Sequence, residues 1–546
     1  MSTLMGKVLA TVAVIILVSI VTNLLKQLFY RDPYKPPVVW HWVPLIGSTV
    51  DYGQDPYSFF FRCREKYGDF FTFGLLGMKV TVYLGAKGNN FILNGKLKDL
   101  NAEEVYGPLT GKSPLSLKPL PVFGRGVVYD VDNARFMDQK RLLKEGFSSQ
   151  NLRAYVPQFV AEVELFVNTN VAFRGESGVC DISSVLSEIS LYAAAGSLQG
   201  KEVRDSFDSS FATYYRHLDD GFAPVNFMFP WLPTPVNRRR DRAQKMMAKL
   251  YTDIIKKRRV TGNQDGSNDM LWALMEGRYK DGSQISDEEM ANLMIALLMG
   301  GQHNTAASGT WIMLHLAHRP HLIEELYQEQ LVVLGGDSPT HETLQQLTLH
   351  NNVIKETLRL HSPIHSIMRK VKQSMHIPDT DVVIPAGHIL LAAPGVPARS
   401  DEFFPHALNW DPHRWDKPLK NDEDAEDDTI DYGYGAVSSK AAYSPYLPFG
   451  AGRHRCVGET FAYAQLGAIL VTLVRLLQWE QVDPKAPVPA TDYSSMFSRP
   501  VHPATAHVDG TKLVARDARP SGSGEEDTSA KAEKARSGSL NMPSLS

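Results

Sequence analysis

The sequence predicts a mainly α protein with small β-sheets, its globular body carried behind a single N-terminal transmembrane helix. Three observations predict this. Residues 8–25, VLATVAVIILVSIVTNLL, carry no charge. Apolar stretches with helical spacing recur along the chain, at 287–320, 351–361 and 457–477. Strand-like runs are few and short, with TVYLGA (81–86) and HILLAA (388–393) the clearest. The composition fits a folded chain: of 546 residues, 43% are hydrophobic and 21% charged, which excludes wholesale disorder. A formal net charge of -3 gives no basic excess for nucleic acid, so none is expected as a partner. Three cysteines, Cys63, Cys180 and Cys456, argue against a disulfide framework and cannot build a Cys-rich zinc site.

Taken in order, residues 1–28 read as a membrane anchor. A helix needs about 20 mainly apolar residues to cross the hydrocarbon core, and this run meets that length. A cleaved signal peptide is the alternative, but no small-residue cleavage site follows. Lys26, Arg31 and Lys35 follow the span against Lys7 before it, which places the body in the cytosol. Residues 29–50 hold Pro33, Pro36, Pro37 and Pro44 and read as a stiff linker. Ser286 with Glu289 is a capping-box signature opening the long helix that ends at Pro320. NNVIKETLRLH, before Ser362-Pro363, is a second helix, and VGETFAYAQLGAILVTLVRLL, after Cys456, a third. The acidic run at 420–431 reads as a solvated insertion. Residues 510–546, with almost no large apolar side chain, read as a disordered tail.

The segment PFGAGRHRCVGETF (448–461) carries the chemistry. Glycines let a backbone approach a flat ligand closely. A cysteine at the start of a helix is expected to have a lowered pKa, because the free N–H groups favour thiolate. Thiolate ligation of haem iron pushes electron density onto the metal. A buried structural cysteine is the bland alternative, but Phe449, Gly452, His454, Cys456 and Gly458 stand together at fixed spacing around it.

That loop resembles the haem-binding signature of the cytochrome P-450 superfamily, F-x-x-G-x-[H/R]-x-C-x-G. The resemblance implies the mainly α fold of that superfamily over 51–509, a haem-thiolate monooxygenase domain, with haem b held by Cys456. Two further marks agree. Glu356 and Arg359, in KETLRL, stand at i and i+3, and Arg414 lies in WDPHRW; the implied Glu–Arg–Arg cluster is structural.

The long helix carries GGQHNTAASGTW (300–311), polar residues inside an apolar run. A harmless kink is one reading, and an oxygen-binding groove that delivers protons is the other. His303, where most of the superfamily has an acid, resembles the sterol 14α-demethylases. That family usually has threonine next; here Asn304 intervenes before Thr305. An amide cannot pass on a proton as a hydroxyl does. His303, Asn304 and Thr305 are therefore the expected catalytic residues.

EVYGPLTG (104–111) and PVFGRGVVYDVDNARFMDQKRLLKEGF (121–147) resemble the fungal members of that family. The resemblance implies that Tyr106, Tyr129, Lys140, Arg369 and His454 meet the haem propionates, which need cationic and hydroxyl donors once out of water. It also implies a sterol cavity lined by Phe123, Tyr129, Phe222, Phe227, Gly301, His303, Ile364, His365, Ser366 and Met496. Core packing is the commoner fate of such aromatics. The family runs from PLT into PVFG, whereas here GKSPLSLKPL (111–120) intervenes: an exposed excursion, a displacement of Phe123 or Tyr129, or retained extra sequence.

The implied activity is removal of the 14α-methyl of lanosterol or eburicol in ergosterol biosynthesis, with O2 and electrons from an NADPH–cytochrome reductase, since no flavin or nicotinamide fingerprint is present. Arg453 and Arg455 are expected on the docking face. The same resemblance implies a single-pass endoplasmic reticulum protein and azole-type inhibitors. A paralogue oxidising another sterol or hydrophobic substrate is the alternative, and a non-catalytic haem or sterol binder is a third reading.

Overall fold

The computed structural model describes residues 2–107, 122–173, 175, 177–206, 209–223, 231–263, 266, 268–417, 429–495 and 497–509. Phe227, Met496, the insertion at 111–120, residues 420–428 of the acidic run and the tail at 510–546 lie outside them.

Helix α1 (Ser2–Phe29) leads the chain, and its part from Ala10 to Phe29 is long and apolar enough to cross a membrane. The proline-rich stretch is stitched to the body from Tyr34 onward, where the Val383 amide donates to the Tyr34 carbonyl at 2.8 Å. The Thr72 amide donates to Pro37 and the Val39 amide to Thr72, each at 2.8 Å, and Ser48 donates to Gly74 at 2.8 Å. Gly47 has φ +60, and a Cβ there would meet the Gly74 carbonyl at 2.3 Å, so only glycine permits this approach.

The main sheet contains β1 (Phe70–Leu75), β2 (Met78–Tyr83), β3 (Leu100–Asn101), β4 (Ile367–Val371) and β5 (Ile389–Ala392), in the order β1-β2-β5-β4-β3. Only the β2–β5 contact is parallel within it. Phe71 opposite Val82 and Phe73 opposite Val80 are fully buried, as period-two alternation requires. The strand predicted at 81–86 starts three residues earlier and stops at Tyr83, because Gly85, at φ +80, opens a helix.

Among the long helices of the body are α2 (Asn133–Gly146), α3 (Ser149–Thr169), α4 (Ile182–Ala194), α5 (Ser209–Asp219), α6 (Pro235–Thr261) and α7 (Asp287–Ala317). At about 1.5 Å per residue α7 runs roughly 45 Å. Its first half, Met290–Met299, packs into one core cluster and its last turns, Trp311–Ala317, into another, so one helix ties both halves together. The predicted capping box is half formed. Ser286 Oγ accepts from the Glu289 amide at 3.2 Å. The Glu289 carboxylate does not reach back, because Gln139 (2.9 Å), the Tyr279 hydroxyl (2.5 Å) and Arg135 (3.2 Å) take it. Helix α8 (Thr348–Leu360) stops before Ser362-Pro363, and α9 (Glu459–Leu476) starts three residues after Cys456.

The acidic run does not stay a loop to its end. Thr429–Asp431 pairs with Ala436–Ser438, and the Asp431 carboxylate closes the turn by accepting from Gly433 at 2.7 Å and Gly435 at 3.1 Å.

Candidate active site

The cysteine loop is fixed from several sides. The Cys456 amide donates to Phe449 at 3.0 Å, closing the loop on itself. Gly452, at φ +65, lies so close to Leu93 that a Cβ would meet its carbonyl at 2.3 Å. The Tyr434 hydroxyl donates to the Gly452 carbonyl at 3.2 Å. From α2, Lys140 Nζ donates to the carbonyls of Arg453 (3.0 Å) and Arg455 (2.8 Å), while lying 3.7 Å from the Tyr434 ring centre. Beneath the loop Glu356 and Arg359 are fully buried. Glu356 takes Arg359 through two bonds (2.8 and 2.7 Å), Arg414 Nε at 2.9 Å, the Asp411 amide at 2.9 Å and Trp415 Nε1 at 3.0 Å. Arg359 spends its remaining donors on the carbonyls of Ala398, Ala407 and Asn409. One buried ion pair thus gathers α8 and the 398–415 segment.

Above the loop lies a cavity of about 910 Å³. Cys456, Phe449 and His454 form one wall, and Gly300, Gly301, Asn304 and Thr305 of α7 form the facing one. A Cβ added at either glycine meets nothing within 4 Å, so both face open space. The Cys456 sulfur opens onto this space, while protein shields it from bulk water. The expected lowering of its pKa is not found. Burial pushes the thiol up, and the Gly458 amide only partly opposes this. The loop alone does not make a thiolate.

The residues fit a haem at this place. Arg369 is buried, donates to its own neighbour's carbonyl (Met368) at 2.8 Å, and has no carboxylate partner among the described residues. Lys140 is likewise buried without a carboxylate, and burial pulls its pKa down to about 7. His454 Nδ1 is buried without a hydrogen-bond partner among the described residues, and burial holds that imidazole well below its usual pKa. Tyr106 and Tyr129 stack at 5.4 Å, the Tyr129 and His454 rings lie 5.9 Å apart, and burial pushes the Tyr129 phenol up to about 12. Tyr106, Tyr129, Arg369 and His454 all line the cavity. Two carboxylates arriving here would supply the missing partners.

Of the residues predicted to line a sterol cavity, Tyr129, Gly301, Ile364, His365 and Ser366 do so. Phe123, Phe222 and His303 do not. Phe497 takes the wall instead: His303 stacks on it at 5.3 Å, Phe222 meets it at 5.5 Å, and Phe123 lies beyond Phe222 at 5.8 Å. The cause is local, since polar partners turn His303 away. Its Nε2 lies 3.0 Å from the Tyr215 hydroxyl and 3.0 Å from Asp219 Oδ1, both on α5. Asn304 lines the cavity, with its amide donating back to Gly300 at 2.7 Å and its Oδ1 without a partner among the described residues. Thr305 Oγ1 donates to Gln465 Oε1 at 3.2 Å. On the proximal side Arg455 is paired with Glu459 at 2.7 Å, and Arg453 is half-buried over the Tyr432 ring at 4.7 Å.

Sequence reading missed Phe497, Tyr215, Asp219 and Gln465. Tyr215 and Asp219 stand four apart on α5, a spacing that puts both on one face, so a paired-partner search for His303 could have found them.

The cytochrome P450 family profile matches residues 36–507. The chain is 60% identical to "Sterol 14-alpha demethylase CYP51C" of Gibberella zeae, over 90% of this chain and 94% of the relative. It is 53% identical to "Eburicol 14-alpha-demethylase" of Uncinula necator (90% and 93%) and 52% identical to "Sterol 14-alpha demethylase cyp51A" of Aspergillus fumigatus (91% and 96%). The solved cyanobacterial CYP120A1 with retinoic acid bound superposes with a TM-score of 0.70 at 19% identity, covering 88% of this chain and 99% of that one, which shows the shared fold. The chain belongs to the cytochrome P450 family and, within it, to the fungal sterol 14α-demethylases.

Proposed function

We propose that this chain is a membrane-anchored monooxygenase that removes the 14α-methyl of lanosterol or eburicol. Three successive oxidations release the carbon as formate and leave a Δ14 double bond. The observation that carries this reading is the cavity of about 910 Å³, mostly apolar, with a single thiol in one wall and the polar break of α7 in the other. Haem b, bound through the Cys456 sulfur, supplies O2 activation. Tyr106, Tyr129, Arg369 and His454, which line the cavity, would hold its carboxylates, and Lys140, outside the lining, would brace the loop through the Arg453 and Arg455 carbonyls. An NADPH–cytochrome reductase is the proposed electron donor, and azole-type inhibitors share the sterol's cavity. The reading includes a single-pass endoplasmic reticulum location, and the basic excess on the C-terminal side of the apolar span (Lys26, Arg31 and Lys35 against Lys7) supports a cytosolic body.

The protein's own groups manage the proton. Gln302 Nε2 donates to Ser187 at 3.2 Å, which turns its Oε1 toward Tyr215. The Tyr215 hydroxyl therefore spends its one proton on Gln302 Oε1, at 2.5 Å. His303 Nε2 must then carry a hydrogen, shared between the Tyr215 oxygen and Asp219 Oδ1. The Asp219 side chain is 41% exposed, so the outer end of this pair meets water, while His303 itself stays behind Phe497 and outside the cavity wall. Nearer the sulfur, Gln465 Nε2 donates to Ser190 at 3.1 Å, which leaves its Oε1 to accept the Thr305 proton. Thr305 thereby offers lone pairs, not its hydrogen, to the cavity. Asn304 orders this groove but passes no proton. Reconstituted turnover with lanosterol and eburicol, scored for the Δ14 sterol and formate, tests the proposal; oxidation of another lipid in their place would favour the paralogue reading that Asn304 suggests.

A further inference from the structure

Tyr129 reaches the cavity from a backbone that its neighbour's residue type does not favour. Val128, just before it, has φ +55. A β-branched residue in that region is a genuine outlier, and it persists only where its surroundings over-determine it. Gly126 is also left-handed, at φ +76, but glycine adopts that freely. Val127, between the two, is fully buried.

One side chain of α2 holds this turn. Gln139 is buried. Its Oε1 accepts from the Val128 amide at 3.1 Å, and its Nε2 donates to the Gly126 carbonyl at 2.8 Å. The other Nε2 hydrogen goes to Glu289 Oε1 at 2.9 Å. These partners fix which end of the carboxamide is oxygen, since an amide needs an acceptor while a carbonyl and a carboxylate need donors. Asp130 Oδ2 closes the turn by accepting from the Gly126 amide at 2.9 Å. Just upstream, Asn292 Nδ2 of α7 donates to the Arg125 carbonyl at 2.9 Å, and its Oδ1 accepts from Gln244 of α6 at 2.8 Å. The segment that carries Tyr129 is therefore gripped from α2 and α7.

We propose that Gln139 is a positioning residue for the haem: it holds the left-handed turn at Val128 and so sets the Tyr129 phenol for the haem carboxylate. This rests on the reading of Tyr129 given above. Without Gln139, Val128 relaxes toward the extended backbone that β-branched residues favour, and Tyr129 moves with it, away from Tyr106 and His454. Adjacent residues of α2 then divide the work, Lys140 bracing the cysteine loop and Gln139 setting Tyr129.

The test reads haem loss from full-length holoprotein to an apo-globin acceptor, with Q139L placed in the parent chain and in V128G. Leucine keeps much of the glutamine's shape and loses both backbone bonds. V128G removes the reason for the turn to relax. In the parent chain Q139L should speed haem loss about tenfold, the order expected for one orphaned buried amide. In V128G, and likewise in Y129F, Q139L should add little. Equal acceleration in the parent chain and in V128G would overturn the proposal, because Gln139 would then act through Glu289 or by packing alone; no acceleration in the parent chain would overturn it too. If the Q139L proteins retain no haem, hydrogen exchange in the parent chain decides. The Val128 amide should exchange as slowly as the amides of α2, and exchange at the rate of an open loop would overturn the hold. Should Y129F alone leave haem loss unchanged, the reading of Tyr129 fails, and the exchange rate still decides whether Gln139 holds the turn.

Discussion

Replacing Glu356 by alanine removes the acceptor of five hydrogen bonds from a place with no water to substitute. Arg359, fully buried, keeps its charge and loses the only carboxylate that pairs with it among the described residues. Breaking a buried pair from one side costs about 3–5 kcal/mol. The Asp411 amide and Trp415 Nε1 are orphaned as well, at about 1–3 kcal/mol each. The total is at least about 5 kcal/mol, comparable to the whole stability of many domains. Glu356→Gln should be damaging too, since either amide orientation turns an NH2 toward donors that need an oxygen. The assay is holoprotein yield with the urea midpoint, read by the Soret band of the reduced CO complex. E356A should yield little or no haem protein, and E356A/R359A should cost less than the sum of its parts. A wild-type yield with a loss below about 1 kcal/mol would refute the reasoning, and with it the role of this pair in gathering α8 and the 398–415 segment.

Asp219→Asn should lower kcat about tenfold or more with little change in sterol affinity, because it removes the carboxylate that accepts from His303 Nε2 and leaves the cavity wall intact; an equal effect on binding would contradict this. Gln465→Leu frees the Thr305 hydroxyl to donate into the cavity, so a changed solvent isotope effect on turnover is expected, and an unchanged one would remove Gln465 from the mechanism. Burial holds the His365 pKa near about 4, below its ordinary 6.5. Between those values the unfolded chain binds a proton that the folded imidazole refuses, so stability falls as pH drops. His365 should contribute about 2 kcal/mol of loss between pH 7 and pH 5, which urea titrations of H365Q against the parent chain would isolate. Lys140→Met removes the one ammonium that donates to both the Arg453 and Arg455 carbonyls, and faster haem loss to an apo-globin acceptor should follow.

Much of this was legible because its signals are local. The uncharged run of α1, the Ser286 cap of α7 and the spacing around Cys456 are short-range patterns. Other features depended on neighbours distant in the chain. The shift of β2 needed the backbone of Gly85. The capping box was half wrong because Gln139, Tyr279 and Arg135, all outside α7, compete for the Glu289 carboxylate. His303 turned from the cavity because α5 brings Tyr215 and Asp219 to it, and Phe497 filled the wall that Phe123, Phe222 and His303 were expected to share. The expected lowering of the Cys456 pKa failed for a different reason. A helix start favours thiolate, but the loop is so enclosed that desolvation outweighs it, a balance no motif records.

The most direct test is turnover of the reconstituted holoenzyme with its reductase on lanosterol and eburicol, counting sterol product against formate. Equal amounts of Δ14 sterol and formate, abolished in C456S along with the thiolate-type CO spectrum, are the expected result. A thiolate-type spectrum with no loss of the 14α-methyl from either sterol would contradict it.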